Sequence, residues 1–169
     1  MTPPPTSPSD LITALDDLGI TYIRVDHPPV YTVEEAERLV PPLDGAPTKN
    51  LFLRDKPGQR HLLVTVGYDK SVDLKAMGRL LGIPKLSFGS PERLMRHLGV
   101  EPGSVTLLAA VNDRDGAVEV LVDRDLWQND RVKCHPLVNT ATLSLKTSDV
   151  ERFLESTGHP VRVVEVPGR

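Results

Sequence analysis

Sixteen prolines and twelve glycines are spread through 169 residues, so that no segment runs far before it meets a residue that ends it. Proline lacks a donor and fixes φ, and glycine opens the left-handed backbone of tight turns, so the elements between them must be short. Two of these stops carry hairpin signals. Pro57-Gly58 separates residues 49–55 from the apolar stretch 60–67, and Asp115-Gly116 separates the run 107–111 from residues 118–123. Neighbouring antiparallel strands argue against a pure βαβ array and for a mixed sheet.

The helical segments announce themselves by their ends. Leu11, Ile12, Leu15 and Leu18 share one stripe, with Ser9 placed as N-cap and Gly19 beyond the last turn. A strand over residues 20–26 ends at His27-Pro28-Pro29, and Thr32 with Glu35 forms a capping box that starts a helix to about Leu39. After a proline-rich loop at 40–47 and the first hairpin, Asp73 caps a helix with the stripe Leu74, Met77, Leu80 and Leu81, and Gly82 and Pro84 stop it. Ser90-Pro91-Glu92 opens another, ending at Gly99. Residues 139–146 read as a strand, Ser148 with Glu151 as a second capping box, and 161–166 as a closing strand. About seven strands and five short helices give a mixed α/β class, in one domain over residues 9–169 after a flexible Pro/Ser-rich tail at 1–8.

Composition narrows the function by exclusion. Hydrophobic residues at 39% and charged residues at 25% suit a globular core and not a disordered chain. A single cysteine excludes a disulfide scaffold. No apolar run reaches the roughly 18–20 residues of a membrane span, and the first residues have neither the basic nor the apolar region of a secretory signal. These features direct the expectation to a reducing cytoplasm, without a membrane partner. A net charge of −3 supplies no global field that would draw the chain onto nucleic acid. The histidines at 27, 61, 97, 135 and 159 lack ligand spacing, and Cys134 has no CxxC partner, so neither metal nor cofactor is expected. Cys134 and His135, as neighbours on a strand, project to opposite faces and cannot form a dyad, which leaves Cys134 a buried structural thiol. Asn112 to Gly116 imitates half of a calcium loop, yet Val111 and Val122 occupy its first and last ligand positions. No GxGxxG, P-loop or GxSxG is present.

Three segments place polar or small residues where packing does not ask for them. Lys49-Asn50 stands at a strand entrance, where a lysine also serves as an ordinary solvated strand end. The loop Pro102-Gly103-Ser104-Val105-Thr106 lets a ligand approach backbone N–H groups as an oxyanion or phosphate cradle, and equally reads as a plain turn. The stretch His135-Pro136-Leu137-Val138-Asn139-Thr140-Ala141-Thr142 lines a pocket or forms a polar edge strand.

Taken in order, these segments resemble the YbaK/ProX family of aminoacyl-tRNA editing domains, above all its freestanding prolyl-tRNA editing members, which are relatives of the insertion domain of bacterial prolyl-tRNA synthetase. The anchors are Asp26-His27-Pro28-Pro29 with Thr32-Val33-Glu34-Glu35-Ala36, then Lys49-Asn50-Leu51-Phe52-Leu53, Asp73-Leu74-Lys75, Gly99 to Thr106, and His135 to Thr142. The resemblance runs from about Ser9 to Val166. It implies a twisted, partly closed mixed β-sheet wrapped by short helices, and hydrolysis of the ester that joins a wrong amino acid to the 3′ end of tRNA.

For this branch the implied substrate is alanine on tRNA for proline, with cysteine or serine as the alternative amino acid. A module that docks tRNA or synthetase without hydrolysis is the alternative outside enzymology, and prolyl-tRNA synthetase is a transient partner. The family's lysine falls on Lys49, implied to orient the terminal adenosine and its phosphate. The amides of Gly103 and Ser104 are implied to hold the developing oxyanion. The substrate's ribose hydroxyl and a water carry the protons. Asn50, Thr106, His135, Asn139 and Thr140 are the implied substrate-binding residues. A proline common in the family four residues after the loop glycine is replaced by Leu107, which bears on the rigidity of the loop. Lys49, Lys70, Lys75 and Arg79 form the local cation cluster expected to meet the few phosphates of the acceptor end.

Overall fold

Residues 4–169 are described by a computed structural model. The first half holds α1 (Pro8–Asp17), β1 (Tyr22–Asp26), α2 (Val33–Leu39), the hairpin β2 (Thr48–Arg54) and β3 (His61–Gly67), α3 (Leu74–Leu81), β4 (Ser87–Phe88) and α4 (Pro91–Leu98). A 3-10 turn (Pro102–Ser104) and a 3-10 helix (Leu107–Asn112) lead to β5 (Val118–Asp123), α5 (Arg124–Trp127), β6 (Arg131–Cys134), β7 (Ala141–Lys146), α6 (Thr147–Ser156) and β8 (Arg162–Val164).

Side chains fix most of the helix starts. Thr32 Oγ1 accepts the Glu35 N–H at 3.1 Å, the N-cap half of a capping box, and its hydroxyl donates to Glu35 Oε1 at 3.3 Å. Asp73 caps α3 through the Ala76 N–H, and Ser90 caps α4 through the Arg93 N–H. Gly82 and Gly99 close those helices with φ of 69° and 64°, a backbone that glycine adopts without a Cβ penalty.

Several sequence expectations are corrected. Ser7 and not Ser9 caps α1, accepting the Asp10 N–H at 3.1 Å, because Pro8 supplies the first helical position. The tail is accordingly shorter than eight residues, and the Thr6 N–H is bound to Asn112 Oδ1; residues 1–3 of that tail lie outside the described residues. The Ser148–Glu151 box does not form: the N-cap is Lys146 and not Ser148, and α6 starts at Thr147, whose hydroxyl donates to the Asn129 carbonyl. Residues 107–111 are not a strand. Leu107 to Ala110 are all buried, a pattern without alternation, and Thr106 Oγ1 starts the turn by accepting the Leu108 N–H. The Asp115-Gly116 turn therefore closes no hairpin. Asp113 holds it by accepting the Ala117 and Val118 N–H groups, and β5 pairs instead in parallel with β3. The two-residue β4 and the single-turn α5 are too short to leave a periodic signal.

The strands form two ladders. One is antiparallel, β1-β7-β6, and the other is mixed, β4-β2-β3-β5-β8, antiparallel through β4-β2-β3 and parallel through β3-β5-β8. They meet where Ala46 bridges Val132 and the Thr48 hydroxyl donates to the Lys133 carbonyl at 2.6 Å. Among the described residues, this seam is where the two ladders are bridged. The mixed sheet separates two cores. Phe52, Leu63, Val120 and Val122 face a large core shared with α1, α4, α6 and the antiparallel ladder, and Leu53, Leu62, Val64 and Leu121 face a smaller one closed by Met77 and Ile83. β3 is covered on both sides and so reads as a continuous apolar run.

Candidate functional site

The Ala46–Val132 seam brings the start of β2 against the end of β6, and α2 with the segment before it lies over the junction. A cavity of about 280 Å³ opens there, lined by Val30, Ala36, Val40, Thr48, His135 and Thr142 among others. On the α2 side its walls combine aliphatic Val30, Ala36 and Val40 with the Glu37 side chain, and Tyr68 and Lys133 line it as well. Cys134 adds to the wall; burial pushes its thiol up to about 12, so it is a neutral surface and no nucleophile. β6 ends at Cys134, so the strand alternation expected to part Cys134 from His135 does not extend to His135, and both line the cavity, yet no hydrogen bond joins them among the described residues.

Hydrogen bonds set the tautomers of the two histidines at this place. A carbonyl can only accept, so His27 donates from Nδ1 to the Pro28 carbonyl at 2.8 Å, and its Nε2 accepts the Thr142 hydroxyl at 2.8 Å. His135 likewise donates from Nδ1 to the Ala141 carbonyl at 3.0 Å, which leaves Nε2 as an acceptor. Burial lowers the His135 pKa below its ordinary value, with the Ala141 carbonyl opposing and the nearby His27 adding to the shift. The ring is therefore a neutral imidazole whose free nitrogen is a lone-pair base.

The Pro102–Ser104 turn lies against Tyr31, the residue that follows Val30 of the cavity wall in the chain. The Ser104 N–H donates to the Glu101 carbonyl at 2.9 Å, so an oxyanion at that amide must share the donor with the turn. A Cβ on Gly103 would lie 2.8 Å from Tyr31 Cε1 and 3.4 Å from Asn139 Nδ2, so glycine is what allows the Tyr31 ring to lie against this backbone. Leu107 is 1% exposed and takes the first position of the 3-10 helix. Proline is at home at a helix's first position, and leucine there exchanges a rigid ring for core packing.

The expected residues fall into separate groups. Gly103, Ser104 and Asn139 come together with Tyr31. His135 lines the cavity, and Thr140, itself exposed, joins the same cluster through its carbonyl, which accepts the His27 N–H at 3.0 Å. Lys49 and Asn50 lie on opposite faces of β2. The half-buried Lys49 donates from Nζ to the Lys70 carbonyl, whereas Asn50 Oδ1 accepts the Thr65 hydroxyl at 2.7 Å. Thr106 is fully buried and serves as a cap. Of the expected cations, Lys70 is held by Asp123 at 2.8 Å and by the Val166 carbonyl, while Lys75 and Arg79 are exposed on α3.

Residues that sequence reasoning did not place in the site are Val30, Tyr31, Ala36, Val40, Thr48 and His27, whereas Thr142, the partner of His27, belongs to the stretch read as a pocket wall. His27, Ala36 and Thr142 sit inside the motifs that carried the resemblance. Only the pairing of β1 with β7 shows that those motifs meet.

Residues 27–153 match the family model of the aminoacyl-tRNA editing domain. The chain belongs to that family. The prolyl-tRNA editing protein ProX of Acetoanaerobium sticklandii is 37% identical over 156 residues, covering 92% of this chain and 95% of its own. The prolyl-tRNA synthetase associated domain-containing protein 1 of Danio rerio is 38% identical over 159 residues, covering 90% of this chain and 86% of its own. Among solved structures, a candidate trans-editing enzyme for prolyl tRNA synthetase superposes with a TM-score of 0.69 over 96% of this chain and 98% of its own; at 20% identity this likeness speaks for the fold. The span matched to the editing domain opens at His27 and closes in α6, so the cavity and the Gly103 turn both lie within it.

Proposed function

We propose that this editing-domain protein is a freestanding aminoacyl-tRNA deacylase that hydrolyses, in trans, the ester of alanine mischarged on tRNA for proline. The observation that carries this reading is the cavity itself, with aliphatic Val30, Ala36 and Val40 on one side, His135 and the Thr48 and Thr142 hydroxyls on the other, and Glu37, Tyr68 and Lys133 completing its lining. The relatives, a prolyl-tRNA editing protein and a prolyl-tRNA synthetase associated domain-containing protein, agree with it. A synthetic site large enough for proline excludes the smaller alanine by only a few kcal/mol, so a second, smaller pocket has to destroy the error. An aminoacyl ester is labile, and positioning with a few oriented donors accelerates its hydrolysis without a charged nucleophile.

In this reading the aminoacyl group enters the cavity. The Gly103 and Ser104 amides meet the developing oxyanion, and the ribose hydroxyl and a water move the proton. Asn139, His135 and Thr140 contact the substrate, while Asn50 and Thr106 support the surrounding backbone. Lys49 leaves the Lys70 carbonyl to engage the terminal adenosine and its phosphate. The work is cytoplasmic, with prolyl-tRNA synthetase as the transient source of the substrate; no helix among the described residues is long and apolar enough to cross a membrane.

Replacing Lys49 by Ala is expected to abolish deacylation of alanyl-tRNA for proline with the far-UV circular dichroism and melting curve preserved. Unchanged turnover removes Lys49 from the site. A panel with alanine, cysteine and serine on one tRNA body reads the amino acid, and wild-type protein inert on the whole panel would favour the non-catalytic docking module.

A further inference from the structure

We infer that Tyr31 is the stacking platform for the terminal nucleobase of the tRNA acceptor end, an inference that rests on the deacylase reading of the adjoining cavity. Its first support is contrast. This is an aromatic-poor chain, 4% by count, and yet Tyr31 is left 71% exposed while the preceding Val30 is 7% exposed and lines the cavity. Burial of large aromatic rings is a major source of folding free energy, so a ring left in water, next in the chain to a residue of the cavity wall, contributes little to the fold.

The ring is nevertheless placed. Its Cε1 and Cδ1 atoms come within 2.8 and 3.0 Å of where a Gly103 Cβ would stand, so the ring rests on glycine backbone that any side chain would lift away. A ring held before the ligand arrives loses little freedom on binding, which is the advantage of a preorganised contact. Asn139 Nδ2 lies 3.4 Å from the same point and sets an amide donor beside the ring, where it can meet the edge of a stacked base.

The chemistry of the ligand follows from the distance between groups. An aminoacyl ester hangs on the terminal ribose, so with the amino acid in the cavity the base on that same ribose is the nearest planar surface to its rim. Charge points the same way. With a net charge of −3 and the Lys70 ammonium held by Asp123, a contact that salt does not screen adds to what the remaining cations supply. Stacking on an aromatic side chain is such a contact.

The test uses the full chain and an acceptor-stem minihelix that carries 2-aminopurine in place of its terminal adenine. Wild-type protein quenches the fluorescence of the uncharged minihelix on binding. Tyr31→Ala is expected to lose the quench and to raise KM for the alanylated minihelix by about ten- to hundredfold with kcat little changed, and Tyr31→Phe and Tyr31→Trp to restore both. A quench and a KM left intact in Tyr31→Ala overturn the inference. So does a variant that keeps both but no longer associates with prolyl-tRNA synthetase, which would put a protein on the ring. Wild-type protein that quenches but deacylates nothing counts against the deacylase reading and leaves the stacking contact standing.

Discussion

A neutral imidazole with one nitrogen committed to a carbonyl can act in one direction only. His135 Nδ1 is bound to the Ala141 carbonyl, so Nε2 can accept a proton or a hydrogen bond and cannot donate one. Protonation would end that role. Because burial lowers the pKa from 6.5, the neutral ring is the larger population at pH 6.5 and protonation needs more acidic solution than for a free imidazole. The acid limb of kcat/KM for deacylation should therefore have its midpoint below pH 6.5, and a midpoint above pH 6.5 would show that another group governs the rate. His135→Ala should lower kcat by about a hundredfold if Nε2 takes a proton in the transition state. His27 is tied at both nitrogens, by the Pro28 carbonyl and the Thr142 hydroxyl, and so holds the cavity wall in place.

Among the elements, the 3-10 helix that follows the Gly103 turn is where a departure from the family pattern can be weighed. Leu107 belongs to the large core together with Leu108, Ala109 and Ala110. Leu107→Ala should destabilise the protein by about 2–5 kcal/mol, the range for emptying a fully buried leucine site, as read by urea unfolding. The Thr106 cap should survive it, so deacylation by the folded fraction should persist. This element also marks the boundary of what the sequence discloses. Capping boxes and glycine stops at residues 32–35, 73, 82, 90 and 99 were legible because each depends on hydrogen bonds within one turn. The run 107–111 was not, since an apolar stretch without alternation suits a buried strand and a buried helical turn alike. The candidate site divides in the same way. Its motifs were legible one by one, but Lys49 and Asn50, adjacent in the chain, face opposite sides of β2, whereas Tyr31, Gly103 and Asn139, far apart in the chain, touch.

On the scale of the molecule, stability should depend on acid through a histidine cluster away from the cavity. His61 stacks on Phe52 with centroids 5.7 Å apart and lies 4.1 Å from the His97 ring, and Arg93 donates to its Nε2 at 3.1 Å. Burial first, then the charges of His97 and Arg93, push His61 down to about 4 from 6.5. His97 is lowered as well, chiefly by burial. The unfolded chain thus takes up protons near pH 6.5 that the folded chain refuses until about pH 4, so across that window the unfolded state binds more protons and stability declines as pH falls. Thermal melts should show the midpoint dropping from pH 6.5 toward pH 4, with a shallower slope in His61→Gln; equal slopes would assign the loss to other groups.

The order in which the strands pair has a consequence for synthesis. β1 is bonded only to β7, and the parallel β3-β5-β8 half of the mixed sheet cannot be completed until β8 exists. Apart from the β2–β3 hairpin, a ribosome-bound chain has little sheet to form until more than two thirds of it has been made, and such distant pairings fold slowly. His27, among the early residues, waits for Thr142 to leave the exit tunnel before its ring is held. An activity that corrects translation would then be among the last features of its own chain to take shape.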